Sequence, residues 1–239
     1  MSRKISLIFP MAGEGARFGY RFKPFLEVNG KTFIEAALEP FRPWLAQIGG
    51  ISFVFTRAQE EAHGVSERLA AMFDGLPQQS VILDTPTQGP AETLRQCLAQ
   101  TNIEGPAIVC DCDHAVDIAG LMHAALARPD VACAMPTWCL EGESLASWSV
   151  AAVDEAGRIL AIREKALPEQ GKTFRGVIGC YYFADIVRAS DAIAQHNLLY
   201  LSDIVARVIA SGAPVFSIPI TQASFFGDPA RLARLTAAE

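Results

Sequence analysis

The stretch ISLIFPMAGEGARFGYRFKPFLEVNGK, residues 5–31, constrains this chain more than any other part of it. Its apolar run Ile5–Phe9, ended by Pro10, has the length and β-branched content of a short buried strand. Gly13 and Gly15 follow, and glycines just after a strand let the backbone approach a ligand closely. Unblocked peptide N–H groups at such a turn form a concavity for anions. The stretch therefore predicts a strand that leads into an anion-binding loop.

Two separated cations accompany this loop. Arg17 offers a planar fork suited to phosphate oxygens, and Lys23 adds a mobile point charge. The spacing is not the dinucleotide fingerprint, because no third glycine follows three residues on, and no Gly-Lys-Ser/Thr closes a Walker A loop. Spacing alone leaves a polyphosphate site and an ordinary turn with surface cations equally open.

Composition excludes several classes of partner. The net charge of −6 argues against a nucleic-acid polyanion, whereas a nucleotide needs only a local group of cations. We expect no membrane partner, because no run of eighteen apolar residues occurs. The first fifteen residues resemble a short signal, but their apolar run is brief and lacks a cleavable A-x-A site, so we expect no secretory leader.

The six cysteines do not form the C-x-x-C pairs that zinc sites favour. They lie in largely apolar runs, which is typical of buried free thiols. We therefore expect a reducing compartment and a cytoplasmic protein.

The periodicity of apolar residues predicts strands that alternate with helices, and hence α/β layering with a largely parallel sheet. We predict one domain over residues 1–239, with a nucleotide-binding half (1–115) and an acceptor-binding half (116–239). The predicted strands are Ile5–Phe9, Ile51–Phe55, Ser80–Leu83, Pro106–Cys110, Val131–Met135, Ser149–Val153, Ile159–Ile162, Gly176–Phe183 and Val215–Ile220. The predicted helices are Thr32–Leu38, Glu60–Phe73, Ala91–Ala99, Asp185–Gln195, Leu201–Ser211 and Pro229–Leu235.

Asp111 and Asp113 directly follow the fourth predicted strand, in the sequence DCDH. Open α/β sheets bind ligands beyond the carboxyl ends of their strands, and carboxylates there suit Mg²⁺ with substrate phosphates. Acidic residues after strands also cap the next turn, so the residues alone leave both interpretations open. His114 is interpreted as a loop histidine without a role.

The string MAGEGARF…KPFLEVNGKTFIEAAL resembles the opening signature of the sugar-1-phosphate nucleotidylyltransferases, or nucleoside-diphosphate-sugar pyrophosphorylases. In that signature a strand precedes A-G-x-G-x-R-[LF], and P-K-x-[LF] leads into V-x-G-K-P-[ML]-I-[ED]. The glycines, Arg17 and Lys23 fall in place. Ala16 stands where Ser or Thr is usual, Phe22 replaces the proline before Lys23, and Thr32 replaces the proline after Lys31.

The resemblance implies a three-layer α/β/α sandwich with a mixed, mainly parallel sheet and a Rossmann-like first half, as in nucleotide-diphospho-sugar transferases. It implies an Mg²⁺-dependent transfer of NMP from an NTP to a phosphorylated acceptor, usually a sugar 1-phosphate, with release of pyrophosphate. It makes Arg17 and Lys23 catalytic, and it assigns the nucleotide to the loop Ala12, Gly13, Glu14, Gly15 and to Gln88 and Gly89. Without the resemblance, Gln88 and Gly89 are merely the start of a helix.

The same resemblance implies that Glu164, Lys165 and Gly179 bind the acceptor, although Ala166 replaces the proline of the usual E-K-P. Aligning DCDH with N-G-D-x puts Asp113 on the metal and Asp111 beside it, and a shift of two residues would exchange them. The last motif departs from the family, because Phe225 stands where a second metal-binding acid is usual. Asp228 then either serves as a metal ligand from a shifted position or only caps the terminal helix.

Two other functions remain open at the level of sequence. One is a cytidylyltransferase for a non-sugar phosphate such as phosphocholine, which would carry the same motifs. The other is a non-catalytic nucleotide-sensing domain, for which the missing late acid is the reason. The nucleobase, the acceptor, the number of metal ions and the oligomeric state do not follow from the sequence.

Overall fold

A computed structural model describes residues 4–169, 171 and 173–236. Its strands are β1 (Ile5–Pro10), β2 (Glu27–Val28), β3 (Lys31–Thr32), β4 (Ile48–Thr56), β5 (Gln78–Leu83), β6 (Ala107–Cys110), β7 (His114–Val116), β8 (Cys133–Cys139), β9 (Ser149–Val153), β10 (Ile159–Glu164), β11 (Thr173–Val177), β12 (Cys180–Phe183), β13 (Val215–Pro219) and β14 (Ala223–Phe225). Its helices are α1 (Phe33–Leu38), α2 (Arg57–His63), α3 (Val65–Met72), α4 (Pro90–Gln100), α5 (Ala119–Ala127), α6 (Ile186–His196), α7 (Leu201–Ala210) and α8 (Pro229–Thr236). Short 3₁₀ helices occupy Ala16–Phe18, Lys23–Phe25, Glu39–Trp44 and Leu145–Ser147.

The first half forms the parallel part of the main sheet, in the spatial order β5-β4-β1-β6. This order reverses direction between β1 and β6, as in the Rossmann-like half that the sequence predicts. The carboxyl ends of β1 and β6 therefore lie side by side at one edge of the sheet. The glycine-bearing loop follows β1, and the DCDH segment follows β6.

The second half continues the same sheet through a strand that changes partners. β11 and β12 both pair antiparallel with β8. The second partner of β11 is β9, and the second partner of β12 is β6. Strand β10 extends beyond β9, and β13 lies parallel to β8. The sheet thus forks at Ile178 and Gly179, which separate β11 from β12.

Two hydrophobic cores, one on each face of the sheet, produce the three layers. One contains Phe9, Phe53 and Leu7 from the sheet, packed under α1, α3 and α5. The other contains Ile8, Val54 and the apolar faces of α4, α6 and α7. Successive strand residues point to opposite faces, so Phe9 and Ile8 enter different cores. The three-layer α/β fold predicted from the sequence is confirmed, with parallel pairing concentrated in the first half.

The prediction of one continuous helix over Glu60–Phe73 is wrong. The segment Glu60–Phe73 is not one helix but α2 and α3, separated at Gly64. Gly64 has φ of +56°, a left-handed conformation that ends α2, and its N–H donates to Glu60 O at 2.8 Å. The predicted strand Gly176–Phe183 is likewise divided, into β11 and β12, at the fork of the sheet.

A small two-stranded sheet lies beside the main one. β7 pairs antiparallel with β14, with His114 opposite Phe225. This pairing brings the late Phe225-Phe226-Gly227-Asp228 segment against the loop that follows β6. Within the described residues, no helix has both the length and the apolar character that crossing a membrane requires.

Candidate functional site

A cavity of about 470 Å³ opens at the carboxyl ends of β1 and β6 and along the fork of the sheet. We call it the main cavity. It collects side chains from both halves of the chain, and most of its predicted site residues are charged. Those that line it are Arg17, Asp111, Asp113, Glu164, Lys165, Gly179 and Asp228.

Lys23 and Asp113 form an ion pair at the wall of this cavity. Lys23 Nζ donates to Asp113 Oδ2 at 2.7 Å, and His114 Nδ1 lies 3.3 Å from Asp113 Oδ1. Burial alone would raise the pKa of the Asp113 carboxyl, but the Lys23 charge and the His114 contact hold that pKa well below its usual value. Burial likewise opposes the charge on Lys23, and the Asp113 carboxylate nevertheless raises the Lys23 pKa. Both groups are therefore charged at neutral pH.

Asp111 has the opposite electrostatic environment. Burial, and next the negative charge of Asp113, raise the pKa of its carboxyl to about 6. Its backbone N–H donates to Gly179 O at 2.7 Å, which ties the end of β6 to the fork of the sheet. The two neighbouring carboxylates thus differ in how readily they take up a proton, because Lys23 stabilises the charge of Asp113, whereas burial disfavours the charge of Asp111.

Each of these aspartates lies against a glycine that leaves room for it. A Cβ atom at Gly179 would lie 2.0 Å from Asp111 Oδ2, and a Cβ atom at Gly227 would lie 2.3 Å from Asp113 Oδ2. The Phe226 N–H also donates to the backbone oxygen of Asp113 at 3.0 Å. The absence of a side chain at both glycines therefore sets the position of the two carboxylates.

The loop after β1 has the geometry of an anion-binding turn. Gly15 has φ of +68°, and a Cβ atom there would lie 2.2 Å from Arg21 O, so only glycine fits. Among the described residues, no backbone carbonyl accepts from the N–H groups of Gly13, Glu14 or Gly15. Ala12 is buried, whereas Gly13 and Glu14 are exposed, so the loop presents its amides to solvent. Arg17 is exposed beside it and reaches the main cavity.

Glu164 and Lys165 also line the main cavity. Glu164 Oε2 accepts hydrogen bonds from the Ser149 hydroxyl and, at 3.1 Å, from the Ser202 hydroxyl. Lys165 has φ of +54°, and its N–H donates to Trp148 O at 2.8 Å. Its ammonium lies 5.6 Å from the centre of the Tyr200 ring.

Gln88 and Gly89 are not brought into the main cavity. Gly89 precedes α4 as its N-cap residue, and a Cβ atom there would lie 2.5 Å from Leu199 O. Gln88 lines a separate crevice with Glu92 and Arg95, and its N–H donates to Glu92 Oε2 at 2.7 Å. Their assignment to the nucleotide stays a prediction.

Asp228 caps α8. Its Oδ1 accepts from the backbone N–H groups of Ala230 at 2.9 Å and Arg231 at 3.2 Å. Asp228 also lines the main cavity, so the carboxylate borders the site while it serves the helix. The position where the family has its second acid is Phe225, whose ring packs edge-on against Trp138 and Trp148.

Sequence reasoning missed a group of aromatic residues and an arginine in the lining of the main cavity. The aromatic residues are Trp148, Tyr181, Tyr200 and Phe225, and the arginine is Arg231. These residues come from five different elements or loops, and no spacing in the sequence connects them. Only the antiparallel pairing of β7 with β14 brings Phe225 and Arg231 to the cavity.

The side chains around Asp111 and Asp113 fit a magnesium ion in a limited way. The described residues contain no cluster of three or more His, Cys, Asp or Glu side chains arranged for a metal. Mg²⁺, however, is commonly held by one or two carboxylates, with waters and substrate phosphates as its other ligands. Both carboxylate oxygens of Asp113 already have partners, namely Lys23 and His114. Burial and nearby charges, rather than side-chain hydrogen bonds, set the pKa of Asp111. The two carboxylates thus supply a donor set that suits Mg²⁺ only together with a phosphate ligand.

Solved structures of several other proteins share this fold. A nucleoside-diphosphate-sugar pyrophosphorylase from Vibrio cholerae superposes with a TM-score of 0.77 at 19% identity, over 97% of this chain and 99% of that one. The inositol-1-phosphate CTP transferase of T. maritima superposes with a TM-score of 0.74 at 13% identity, over 99% and 96% of the chains. A UDP-glucose pyrophosphorylase in complex with UDP-glucose gives 0.77 at 15% identity, over 98% of each chain. These likenesses establish a shared fold.

The family follows from the sequence itself. Residues 8–174 match the MobA-like NTP transferase domain, which is well over half of the 239 residues. The chain belongs to that family and is a nucleotidyltransferase by family. No curated protein matches the sequence. The predicted activity class, NTP transfer, is therefore confirmed.

Proposed function

We propose that this protein transfers an NMP group from an NTP to a sugar 1-phosphate, with Mg²⁺ as cofactor, to give an NDP-sugar and pyrophosphate. The family supports the transfer, and the names of two structural neighbours support a sugar phosphate as acceptor. The observation that carries the proposal is the main cavity, whose lining combines Asp113, which is ion-paired with Lys23, with Glu164 and Lys165.

The reaction needs charge neutralisation rather than a general base. An oxygen of the acceptor phosphate attacks the α-phosphorus of the NTP in line, a new P–O bond forms, and the bond to the pyrophosphate oxygen breaks. The attacking oxygen is already anionic, so no proton has to be removed from it. Lys23, Arg17 and the amides of the glycine loop are the groups that offset charge on the phosphates, and their fixed positions supply orientation.

The metal belongs to the proposal as well. Mg²⁺, when bound with an NTP, neutralises charge on the phosphate oxygens and acts as a Lewis acid. We assign Asp113 and Asp111 as its protein ligands, with Asp228 as a candidate third whose carboxylate already caps α8. Asp113 stays charged because of Lys23, and Asp111 lies beside it with a raised pKa that a bound cation would lower.

One experiment tests the proposal directly. Pyrophosphate release is measured for each common NTP against a panel of phosphorylated sugars and alcohols, with and without Mg²⁺. We expect release with one NTP and one or a few sugar 1-phosphates, and none in EDTA. Release with alcohol phosphates alone would replace the proposed acceptor class, and nucleotide binding without any release would indicate a sensing domain.

A second acceptor class has one supporting observation. The structural neighbour from T. maritima is named as an inositol-1-phosphate CTP transferase, which supports a cytidylyltransferase for a non-sugar phosphate. Phosphocholine fits this site poorly within that class. A quaternary ammonium binds to aromatic faces, and the Arg231 guanidinium already lies 5.4 Å from the centres of both the Trp148 and Phe225 rings.

The compartment is part of the proposal too. All six cysteines are free thiols, and five of them are buried. Free thiols persist in reducing compartments, which supports a cytoplasmic location. Measurement of free thiols in the protein as purified from cells, with and without reductant, tests this point.

A further inference from the structure

Beside the main cavity lies a second space that the proposed reaction does not use. We call it the side chamber, and it has a volume of about 540 Å³. It shares Ser147, Phe225, Asp228 and Arg231 with the main cavity, so the two spaces adjoin at these four residues. The other residues that line the side chamber include Glu143, Ser144 and Arg234. A substituent of an acceptor in the main cavity would meet the side chamber at Phe225 and Arg231.

Arg231 lies at the junction of the two spaces and is held there firmly. Its guanidinium donates to Glu143 Oε2 at 2.5 Å and lies against the rings of Trp148 and Phe225. The Trp148 indole N–H donates to the same Glu143 oxygen at 3.3 Å. The Arg231 side chain is 25% exposed, so most of its rotamer freedom is already lost before a ligand arrives. A pre-organised guanidinium loses little entropy when it binds an anion.

The acids of the side chamber are occupied, whereas its arginines retain donors. Glu143 accepts from Arg231 and Trp148, and Asp228 accepts from two backbone amides as the cap of α8. A guanidinium carries five N–H groups, and only one of those on Arg231 is directed at Glu143. Arg234 lines the same chamber, and within residues 4–169, 171 and 173–236 the one hydrogen bond of its side chain is from Nε to Ala230 O, at 3.4 Å. The two acids and the two arginines of the side chamber have a net charge of zero. The groups there that can still form hydrogen bonds to a ligand are the N–H donors of the arginines.

The phosphate groups of the proposed reaction have other cations. Arg17 and Lys23 lie on the side of the glycine loop, and Lys165 lies next to Glu164. Arg231 enters from α8, beyond residue 174, where the match to the family domain ends. Its charge is thus separate from these cations and lies beside Trp148 and Phe225 in the lining of the cavity.

We propose that Arg231, assisted by Arg234, binds an anionic substituent of the acceptor other than its reacting phosphate. The protein then selects acceptors that carry a carboxylate or a second phosphate over neutral ones. This inference rests on the proposed function for the identity of the acceptor, and it adds the class of acceptor to it. Arg231 acts as a specificity-determining residue in this scheme.

The test compares three acceptors that share one ring: glucose 1-phosphate, glucuronic acid 1-phosphate and glucose 1,6-bisphosphate. Their dissociation constants are measured by calorimetry, and pyrophosphate release is measured in parallel. The wild-type protein is expected to bind at least one of the two charged acceptors about 10- to 100-fold more tightly than glucose 1-phosphate, the range typical of a hydrogen bond to a charged group. Tighter binding of glucuronic acid 1-phosphate would indicate a site for a carboxylate, and tighter binding of glucose 1,6-bisphosphate a site for a second phosphate.

Arg231→Gln is expected to remove this preference, so that the ratio between the dissociation constants of the neutral and the charged acceptors falls to about one, because only the charged acceptors place an anion beside Arg231. Arg231→Lys should restore part of it, since the charge stays but the fork is lost. The matched control is Arg128→Gln. Arg128 also lies over an aromatic ring, Phe216 at 4.0 Å, and also pairs with an acid, Asp130 at 2.9 Å, but it lies outside both spaces.

The outcomes separate this inference from the proposed function. If the charged acceptors bind preferentially and Arg231→Gln abolishes the preference, the inference holds even without pyrophosphate release, and the sugar-phosphate transfer then fails. If pyrophosphate is released but all three acceptors bind equally, the transfer stands and the inference is overturned. An equal loss for all three acceptors in Arg231→Gln also overturns it, because Arg231 would then bind the reacting phosphate.

Discussion

Lys23 and Asp113 are ninety positions apart in the sequence, and their contact divides the roles of two neighbouring carboxylates. Asp113 is held ionised because its ion pair with Lys23 offsets the cost of its burial, whereas burial and the negative charge of Asp113 raise the pKa of Asp111. A site for polyphosphate needs cations, and a site for Mg²⁺ needs anions. The ion pair places a cation, Lys23, and an anion, Asp113, next to each other at the cavity.

The first prediction concerns the cation. Lys23→Ala is expected to lower turnover by about 10²–10³, because a lost transition-state charge contact typically costs about 3–4 kcal/mol. The measurement is kcat in the pyrophosphate-release assay, with circular dichroism to verify the fold. Lys31→Ala is the matched control, since Lys31 also pairs with an acid, Glu39 at 3.2 Å, but lies outside the cavity. Near wild-type turnover of Lys23→Ala would remove Lys23 from the site.

The second prediction ranks three acids. Asp113→Asn should abolish Mg²⁺-dependent turnover, because the amide keeps the shape but loses both the charge and the ion pair with Lys23. Asp111→Asn should be milder, and Asp228→Asn milder still, because asparagine also caps helices well. Turnover as a function of Mg²⁺ concentration gives the ranking. An inactive Asp111→Asn beside an active Asp113→Asn would show that the alignment is shifted by two residues.

The third prediction concerns the pH dependence of stability in metal-free buffer. The Asp111 pKa is raised from about 3.8 to about 6, so between these values the folded protein binds a proton that the unfolded chain has lost. The contribution of the Asp111 carboxyl to the free energy of unfolding is fully present below about pH 4 and is lost as the pH rises through about 6. Relative to wild type, Asp111→Asn should gain about 1–3 kcal/mol of unfolding free energy between pH 4 and pH 7. Urea unfolding at several pH values measures it, and parallel curves for both proteins would contradict it.

At the scale of elements, the fork between β11 and β12 positions Asp111. The fourth prediction is that Gly179→Ala lowers turnover by about 10² while the protein still folds, because a Cβ atom there would displace the Asp111 carboxylate. Gly50→Ala in β4 is the control, since its nearest contact would be Pro77 O at 3.8 Å, an ordinary distance. Turnover and melting temperature are compared for both. Equal activity of the two variants would show that the position of Asp111 does not matter.

The elements that the sequence predicts well are those with a clear period and a clear end. α4, α6, α7 and α8 have apolar residues on one face, and Gly, Asp or Pro near their ends, so periodicity locates them. α5 (Ala119–Ala127) was not predicted, because AGLMHAALA is apolar almost throughout and shows no period. β7 and β14 are three residues each, too short to show alternation, and they depend on each other for pairing.

The candidate site was predictable only where a local motif carries it. The glycine loop and the DCDH segment each follow a predicted strand, so the end of the sheet gathers them, and Lys23 belongs to the same opening motif as the loop. Trp148, Tyr200 and Arg231 belong to no recognised motif, and long-range packing brings them to the cavity. Gly179 was predicted through the resemblance, but its physical role, to make room for Asp111, needs the fold.

At the scale of the whole molecule, residues from both halves of the chain line the main cavity. The fifth prediction is that Glu164→Gln raises the KM of the acceptor about tenfold or more and leaves NTP affinity nearly unchanged, because the proposed function assigns Glu164, which accepts from Ser149 and Ser202, to the acceptor. Glu169→Gln is the control, since Glu169 pairs with Arg163 at 2.8 Å on the exposed side of this region. A collapse of NTP affinity in Glu164→Gln would mean that the halves 1–115 and 116–239 do not divide the substrates.

The forked sheet also limits where this chain can be truncated without loss of the fold. The match to the family ends at residue 174, inside β11, whereas β12 lies between β6 and β8 and holds them together. A fragment that stops at residue 174 would leave the facing edges of β6 and β8 without a partner and would strip α6 and α7 from one face. The segment by which a sequence search recognises this protein is therefore shorter than the segment needed to make it in isolation, and an expression fragment or a chimera has to include the strand that closes the gap.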